Sequence, residues 1–316
     1  MGQLLADPAC QVLVLETAQV PVGWALLVTA GDRPRALEIR RLYVDGRLHG
    51  GDAAVTLMAA ALDRARALGA DTVWLAVWER NLRAQAFYAK HGFRRVGAQA
   101  FRFGGDLQTD DVLSRPLSFG VSLAIVAGGS ATRLGGACKP LLRVQGRAVL
   151  DRLLGLRTLA DEVLLVSADP RLPEAGLVRV EDLIPGRGAP GGVQAAMARA
   201  RSPWVLAVGG DMPFLDGRAV LPLLEARGED VDAVAYTVAG RLEPLAALYR
   251  SALAPRWAAA LAGSGASFRA LWGGLRGVTL PESALRAATG DCRAVLSLNL
   301  PSDVATWVDG PPVRRS

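Results

Sequence analysis

The stretch Val126-Ala127-Gly128-Gly129-Ser130-Ala131-Thr132-Arg133-Leu134-Gly135-Gly136-Ala137-Cys138-Lys139-Pro140 holds the residue types that grip a polyphosphate. Glycines let a backbone turn through positive φ and come close to a ligand. Successive N–H groups then converge on phosphate oxygens as an anion nest. Arg133 and Lys139 add positive charge, the first as a planar fork, the second as a compact point charge. Pro140 directly after Lys139 separates this pattern from the GxxxxGK[ST] of P-loop proteins.

Three further segments carry chemistry. The apolar run Trp204-Val205-Leu206-Ala207-Val208 ends in Gly209-Gly210-Asp211-Met212-Pro213-Phe214, which puts the Asp211 carboxylate at the C-terminal end of a strand. Mg²⁺ takes one or two carboxylates plus phosphate and water oxygens. Asp211 is therefore the candidate metal ligand, a turn cap being the alternative. Glu181-Asp182-Leu183 precedes a glycine-rich loop, Gly186 to Val193, that can approach a flat base or serve as a plain connector. In Ser297-Leu298-Asn299-Leu300-Pro301-Ser302-Asp303, Asn299 ends a predicted strand and Pro301 opens a helix, with Ser302 or Asp303 complementing its N-terminal end.

Residue usage sharpens these choices. Of 36 basic residues, 34 are arginine and only Lys90 and Lys139 are lysine; Asn81 and Asn299 are the two asparagines. A lysine or asparagine kept in such a chain marks a position that its commoner substitutes fit poorly.

The elements that must position these residues fall into two groups. In the first, Gln11–Glu16, Val22–Thr29, Ala36–Val44, Thr72–Trp78, Arg95–Phe103 and the short Asp111–Leu113 read as strands, with helices over Ala53–Leu68 and Leu82–His91. Gly69 stops the longer helix. Ser114-Arg115-Pro116-Leu117-Ser118 reads as a linker. Beyond it, strands Val121–Val126, Glu162–Ser167, Trp204–Val208 and Ala233–Val238 alternate with helices Ala148–Leu159, Gly192–Arg201 and Arg218–Ala226. Such alternation implies βαβ crossovers, a mainly parallel sheet, and ligands at the C-terminal strand ends.

The chain has 316 residues, 51% hydrophobic and 21% charged, enough for two folded units and too apolar for a disordered polymer. No apolar run reaches the ~18 residues of a membrane helix, and the N-terminus lacks a signal-like pattern. A net charge of +6 without a basic, aromatic-interleaved block gives no support to nucleic-acid binding. Three isolated cysteines, Cys10, Cys138 and Cys292, argue against a zinc site or disulfide framework and fit a reducing cytoplasm.

Over about residues 119–308 these segments resemble the molybdenum cofactor guanylyltransferase family. Val126 to Lys139 follow its LAGGxxxRMGGxDK opening, Gly210 to Phe214 its CDxPF, and Gly188 to Gly192 its GxGPLxG. Pro244-Leu245-Ala246-Ala247-Leu248-Tyr249 follow PLxALY, and Ser297 to Asp303 follow NxNxPED. Cys138 replaces the usual Asp before the Lys, Ser297 the first Asn of the last motif, and Ser167 a base-contacting Asn. The resemblance implies transfer of GMP from GTP to molybdopterin-bound molybdenum, with pyrophosphate released and Mg²⁺ as cofactor. It implies nucleotide contacts by Val126, Ala127, Gly128, Gly129, Ser130, Lys139, Asp182 and Asp211, with Lys139, Arg133 and Asp211 catalytic, and pterin contact by Asn299. Molybdoenzyme apoproteins or molybdenum-insertion proteins are the protein partners it suggests. The alternatives are CMP transfer to the same pterin, transfer to a sugar phosphate, and non-catalytic nucleotide binding.

In the first group, Leu42-Tyr43-Val44, His49 to Met58 and Trp78 to Phe93 resemble GNAT-type N-acetyltransferases. There Gly50 and Gly51 stand in the turn that binds the pyrophosphate of acetyl-CoA; Asn81 would bind the cofactor, and Tyr88 would protonate the leaving thiolate. Asp52 stands where the family has Gly; its charge would repel the pyrophosphate and its Cβ disfavours the required turn. The family's leading strand and two helices are not seen, so the unit reads as a truncated acetyltransferase. His49 and His91 read as local polar contacts. The expected organisation is a truncated α+β GNAT-like domain over 1–116, a linker at 117–120, a Rossmann-like α/β nucleotidyltransferase domain over 121–310, and a tail at 311–316.

Overall fold

A computed structural model describes residues 9–29, 35–103, 106–128, 136–173, 177–181, 184, 186–263 and 267–309. The chain divides into two units, Met1–Phe119 and Gly120–Ser316.

The first unit is built on a six-stranded sheet. Its strands are β1 (Cys10–Thr17), β2 (Val20–Thr29), β3 (Ala36–Val44), β4 (Thr72–Trp78), β5 (Arg94–Phe103) and β6 (Asp106–Pro116), in spatial order β1-β2-β3-β4-β6-β5. Helix α1 (Ala53–Ala67) crosses from β3 to β4, and helix α2 (Leu82–Lys90) follows β4. Alternation along β4 sends Val73, Leu75 and Val77 into a core with Leu37, Ile39, Met58 and Leu62. Gly69, at φ +75°, ends α1 in the left-handed region that glycine enters freely.

Two features of this sheet were hidden in the sequence. β3 and β4 pair in parallel only over Ala36–Glu38 and Thr72–Trp74; the pairing stops just before a bulge in β3, where Ile39 and Arg41 face consecutive β2 residues, Leu27 and Leu26. The supposed linker begins as strand: β6 runs to Pro116, with Val73 opposite Arg115. Arg115 is 2% exposed, donates to the His91 and Pro116 carbonyls and lies over the Phe119 ring. Backbone pairing and this buried guanidinium override the turn propensity of Ser-Arg-Pro.

In the second unit, Val121–Val126 is buried at every residue, as a central parallel strand must be. This strand, β7, sits in a seven-stranded sheet of order β11-β10-β7-β12-β14-β13-β15. The others are β10 (Glu162–Val166), β11 (Val178–Val180), β12 (Trp204–Gly209), β13 (Ala233–Val238), β14 (Arg241–Arg250) and β15 (Gly277–Pro281); β8 (Arg143–Val144) and β9 (Arg147–Ala148) form a separate hairpin. The helices are α3 (Val149–Leu153), α4 (Gly188–Arg199), α5 (Gly217–Glu225), α6 (Ala254–Ala262), α7 (Phe268–Gly273), α8 (Glu282–Thr289) and α9 (Pro301–Trp307).

The sheet is mixed. Pairings β11–β10, β10–β7, β7–β12 and β13–β15 are parallel, but β14 runs antiparallel between β12 and β13. β13 and β14 form a hairpin whose Ala239 and Gly240 both have positive φ, the twist that matches two flanking strands. Pro244 lies at the register shift, where a missing N–H is tolerated. The helix expected over Ala148–Leu159 is the short α3 followed by a 3₁₀ stretch, Leu154–Leu159. The strand expected to end at Asn299 is extended chain outside any ladder, joined to the sheet side by one bond from Leu298 N–H to the Asp211 carbonyl.

Candidate active site

The ends of three parallel strands make the floor of the site. Val126 is level with Val166 on β10 and with Gly209 on β12. Ala127 N–H donates to the Val166 carbonyl and Gly210 N–H to the Val126 carbonyl, both at 2.9 Å, so the chain leaves β7 and β12 side by side. The backbone is crowded at Gly210: a Cβ there would lie 3.0 Å from Ala127 Cβ, 3.1 Å from its Cα and 3.2 Å from Pro140 Cγ. Space is tight again at Gly192 on α4, where a Cβ would stand 3.0 Å from Val126 Cγ1. These two close approaches press the Lys139 segment and α4 onto the strand ends.

On this floor Lys139 and Asp211 meet. Lys139 Nζ donates to Asp211 Oδ2 at 2.8 Å and to Asn299 Oδ1 at 2.6 Å. The two charged side chains retain 21% and 17% of their exposure, so the pair is neither sealed nor loose. Lys139 starts a 3₁₀ turn that Leu142 N–H closes on the Lys139 carbonyl. Asn299 is set by Asp303, whose carboxylate accepts from the Asn299 and Leu300 N–H groups and caps α9. Asp303 thus takes the capping role that its position near Pro301 predicts.

A second cluster stands beside the first. Ser167, 3% exposed, donates from Oγ to the Ala127 carbonyl at 3.3 Å and accepts from Asp169 N–H. Arg171 grips the Asp169 carboxylate through both Nε and Nη2, and reaches the Gly136 carbonyl at 3.2 Å. That hydrogen-bonded guanidinium holds the Asp169 carboxyl down at about 2, with Cys138 adding a weaker bond. Burial, then the Asp169 charge, push the Cys138 thiol up to about 11. Arg179 ties the same loop together through the Ser167, Asp169 and Leu172 carbonyls. Sequence reading singled out Ser167 and Cys138 but missed Asp169, Arg171 and Arg179. The Asp-Pro-Arg spacing, with a carboxylate and a guanidinium two residues apart, was the available signal.

Of the residues expected to bind nucleotide, Val126, Ala127, Lys139 and Asp211 come together here, with Asn299. Gly128 follows Ala127 with open space where a Cβ would be. The Ala127 N–H is already spent on the sheet. Gly129, Ser130, Arg133 and Asp182 lie outside the described residues.

Among the described residues no group of three His, Cys, Asp or Glu could cage a metal ion. A single, mostly buried but still accessible carboxylate suits a hard cation that keeps its waters and arrives on phosphate oxygens. Asp211 fits that demand.

In the first unit the four expected cofactor residues are separate in role. Gly50, at φ +81°, makes the turn ahead of α1, and Gly51 N–H bonds the Leu48 carbonyl. Asp52 sits at φ −79°, an ordinary helical value, so its Cβ costs this turn nothing and that expectation is corrected: Gly50 is the residue that bends. Asn81 caps α2, its Oδ1 accepting from Ala84 N–H at 3.1 Å. Tyr88 packs against Phe87 and Phe93, and burial, with Tyr43 nearby, pushes its phenol up to about 12. His49 is held between the Val44 carbonyl and Arg83, and His91 lies on Phe87, both as local contacts.

Comparison with known proteins follows the same division. Residues 123–278 match the family model described as the MobA-like NTP transferase domain, and residues 2–93 match that of the acetyltransferase (GNAT) family. A probable molybdenum cofactor guanylyltransferase of Carboxydothermus hydrogenoformans is 31% identical over 137 residues, 43% of this chain and 68% of that protein. An uncharacterized N-acetyltransferase of Mycobacterium tuberculosis is 39% identical over 116 residues, 37% of this chain and 73% of that protein. The crystal structure of molybdopterin-guanine dinucleotide biosynthesis protein A from Archaeoglobus fulgidus shares the fold at a TM-score of 0.50 and 21% identity, covering 59% of this chain and 95% of that one. No helix among the described residues is long and apolar enough to cross a membrane. The chain is a two-part α/β protein that belongs, by its second unit, to the MobA-like nucleotidyltransferases and, by its first, to the GNAT acetyltransferases.

Proposed function

We propose that the second unit transfers GMP from GTP to molybdopterin-bound molybdenum. The observation that carries this reading is Lys139 Nζ lying 2.8 Å from Asp211 Oδ2 and 2.6 Å from Asn299 Oδ1, at the C-terminal ends of β7 and β12. One cation, one carboxylate and one neutral amide within a single hydrogen-bonding radius match a triphosphate, its metal and a heterocyclic acceptor.

The chemistry asks little of a base. An oxygen of the pterin's terminal phosphate attacks the α-phosphorus of GTP, the bond from that phosphorus to the bridging oxygen of the β-phosphate breaks, and pyrophosphate departs with the electron pair. The nucleophile is already an anion, so repulsion between two anions is the barrier to overcome. Positioning and charge neutralisation supply most of its lowering. Lys139 serves the charge on the departing pyrophosphate, together with Arg133 and the N–H groups of Gly128 to Ser130. Asp211 would hold Mg²⁺, which when bound offsets charge on the phosphates. Asp182 addresses the guanine or ribose, and Asn299 the pterin, whose mixed donor and acceptor edge suits an amide.

Pyrophosphate release that requires GTP, Mg²⁺ and molybdopterin-bound molybdenum together is the direct test. CTP in place of GTP separates guanylyl from cytidylyl transfer, and calorimetry with Mg-GTP separates catalysis from mere binding. Cytoplasmic location and the service of molybdoenzymes belong to this same reading.

A second reading concerns the first unit. The parting of β3 from β4 after three paired residues, with the Gly50–Gly51 turn between β3 and α1, supports acetyl-CoA binding there. Titration calorimetry with acetyl-CoA, against the variant Gly50→Val, tests it.

A further inference from the structure

We propose that Asp309 is a positioning residue for this transfer site, acting through α9 on Asn299; the inference rests on the function proposed above. α9 is fixed at three points. Ahead of it, Leu298 N–H bonds the Asp211 carbonyl at 2.9 Å. At its last turn, the Trp307 ring meets Phe214 edge-on at 5.1 Å, on the loop that begins with Asp211. Beyond it, Asp309 closes the third point. Its carboxylate accepts from Gln145 N–H at 3.0 Å and from Gly146 N–H, and its own N–H donates to the Arg143 carbonyl at 2.8 Å.

Gln145 and Gly146 are the left-handed turn of the β8–β9 hairpin, at φ 51° and 76°. Both of their N–H groups point outward, and one carboxylate takes them together. This hairpin follows the 3₁₀ turn that starts at Lys139. α9 therefore spans from the Asp211 loop to the Lys139 segment, with Asn299 just ahead of its first turn.

The three site residues do not depend on this strap equally. Lys139 is held by its own turn, and Asp211 by the bonds of Gly210 and Met212 to the strand ends. Asn299 stands on extended chain, and Asp303, which orients it, belongs to α9 itself. Loosening the strap at Asp309 should release Asn299 first. The acceptor side is then disturbed and the GTP side kept.

The test uses the full chain and steady-state pyrophosphate release. For Asp309→Ala, KM for molybdopterin-bound molybdenum should rise about tenfold, equivalent to roughly 1.4 kcal/mol. The Kd for Mg-GTP, read by calorimetry, should stay within about twofold. Asp309→Asn keeps one of the two acceptor oxygens and should fall between. Gly146→Ala disturbs the same contact from the hairpin side, because a side chain is strained at that φ, and should reproduce the split even if Asp309→Ala folds poorly. An unchanged acceptor KM in both Asp309→Ala and Gly146→Ala overturns the proposal, as does equal weakening of GTP and acceptor. A wild-type protein that releases no pyrophosphate from GTP with the acceptor fails at the earlier step, and the positioning role falls with the proposed function.

Discussion

Lys139 and Asp211, 72 residues apart in the chain, are joined by a 2.8 Å hydrogen-bonded ion pair where β7 and β12 end. The pair ties the Lys139 segment to the carboxylate at the end of β12. Each partner keeps the other's charge compensated, and each can be drawn away by a stronger counter-charge. If the site transfers nucleotides, Lys139→Ala and Asp211→Ala should each lower the transfer rate ~10²–10³-fold, the scale for removing one preorganised charge. Lys139→Arg is the sharper variant. Arginine fills nearly every other basic position of this chain, yet its longer, planar fork sets its donors differently from the single ammonium that bonds Asp211 and Asn299 together. Its rate should remain well below wild type, measured by pyrophosphate release at saturating Mg-GTP.

Gly210 bears on stability and on the site at once. A methyl at this position meets backbone, Ala127 Cα at 3.1 Å, as well as Ala127 Cβ and Pro140 Cγ. None of these is the free end of a flexible side chain. Gly210→Ala should therefore destabilise the second unit by about 1–3 kcal/mol, the usual cost of overpacking, and shift the Lys139 segment away from Asp211. Denaturant unfolding gives the first effect. The second appears as a loss of transfer rate at temperatures where the variant is still folded.

Asn81, a candidate cofactor contact, also caps a helix. Its Oδ1 accepts from Ala84 N–H, the bond that satisfies a free donor in the first turn of α2. Asn81→Ala should cost about 1 kcal/mol of stability in the first unit, and Asn81→Asp or Asn81→Ser should restore most of it. Equal stability of all four proteins in urea would show that the cap carries no weight. Acetyl-CoA affinity measured on the same set separates the cap from a cofactor contact.

What the sequence made legible follows from range and burial. β7 and β12 announce themselves as short, largely apolar runs followed by glycine, with Ser122 the one polar residue in β7, and the residues at their ends inherit their position from the strands. β14 was not legible: it is antiparallel, contains Pro244, and owes its place to a hairpin and a register shift rather than to any periodicity. Arg115 escaped for a similar reason. Its burial depends on the His91 carbonyl and the Phe119 ring, and nothing in Ser-Arg-Pro encodes those neighbours. Asp309 lies 164 residues from Gln145, and no local pattern links a carboxylate near the C-terminus to a turn that far upstream.

Cys138 offers a readout of the second cluster. The thiol is pushed up to about 11 by burial first and by the Asp169 charge second. It is therefore protonated across the physiological range, and only the small thiolate fraction reacts with an alkylating reagent. Alkylation of Cys138 should be slow at pH 8 and should accelerate tenfold per pH unit toward about 11, later than for an ordinary thiol with its midpoint at 9.0. Asp169→Asn removes the neighbouring negative charge, so the midpoint should move down and the rate at pH 8 should rise. The linked stability has the same sign: an unfolded thiol loses its proton first, so this group's contribution falls as pH climbs from 9 toward 11. Mass spectrometry of iodoacetamide-treated protein, with Cys10→Ser and Cys292→Ser in the background, isolates the one site. A rate at pH 8 equal to that of a free thiol would mean that Asp169 and the packing around Cys138 do not shield it.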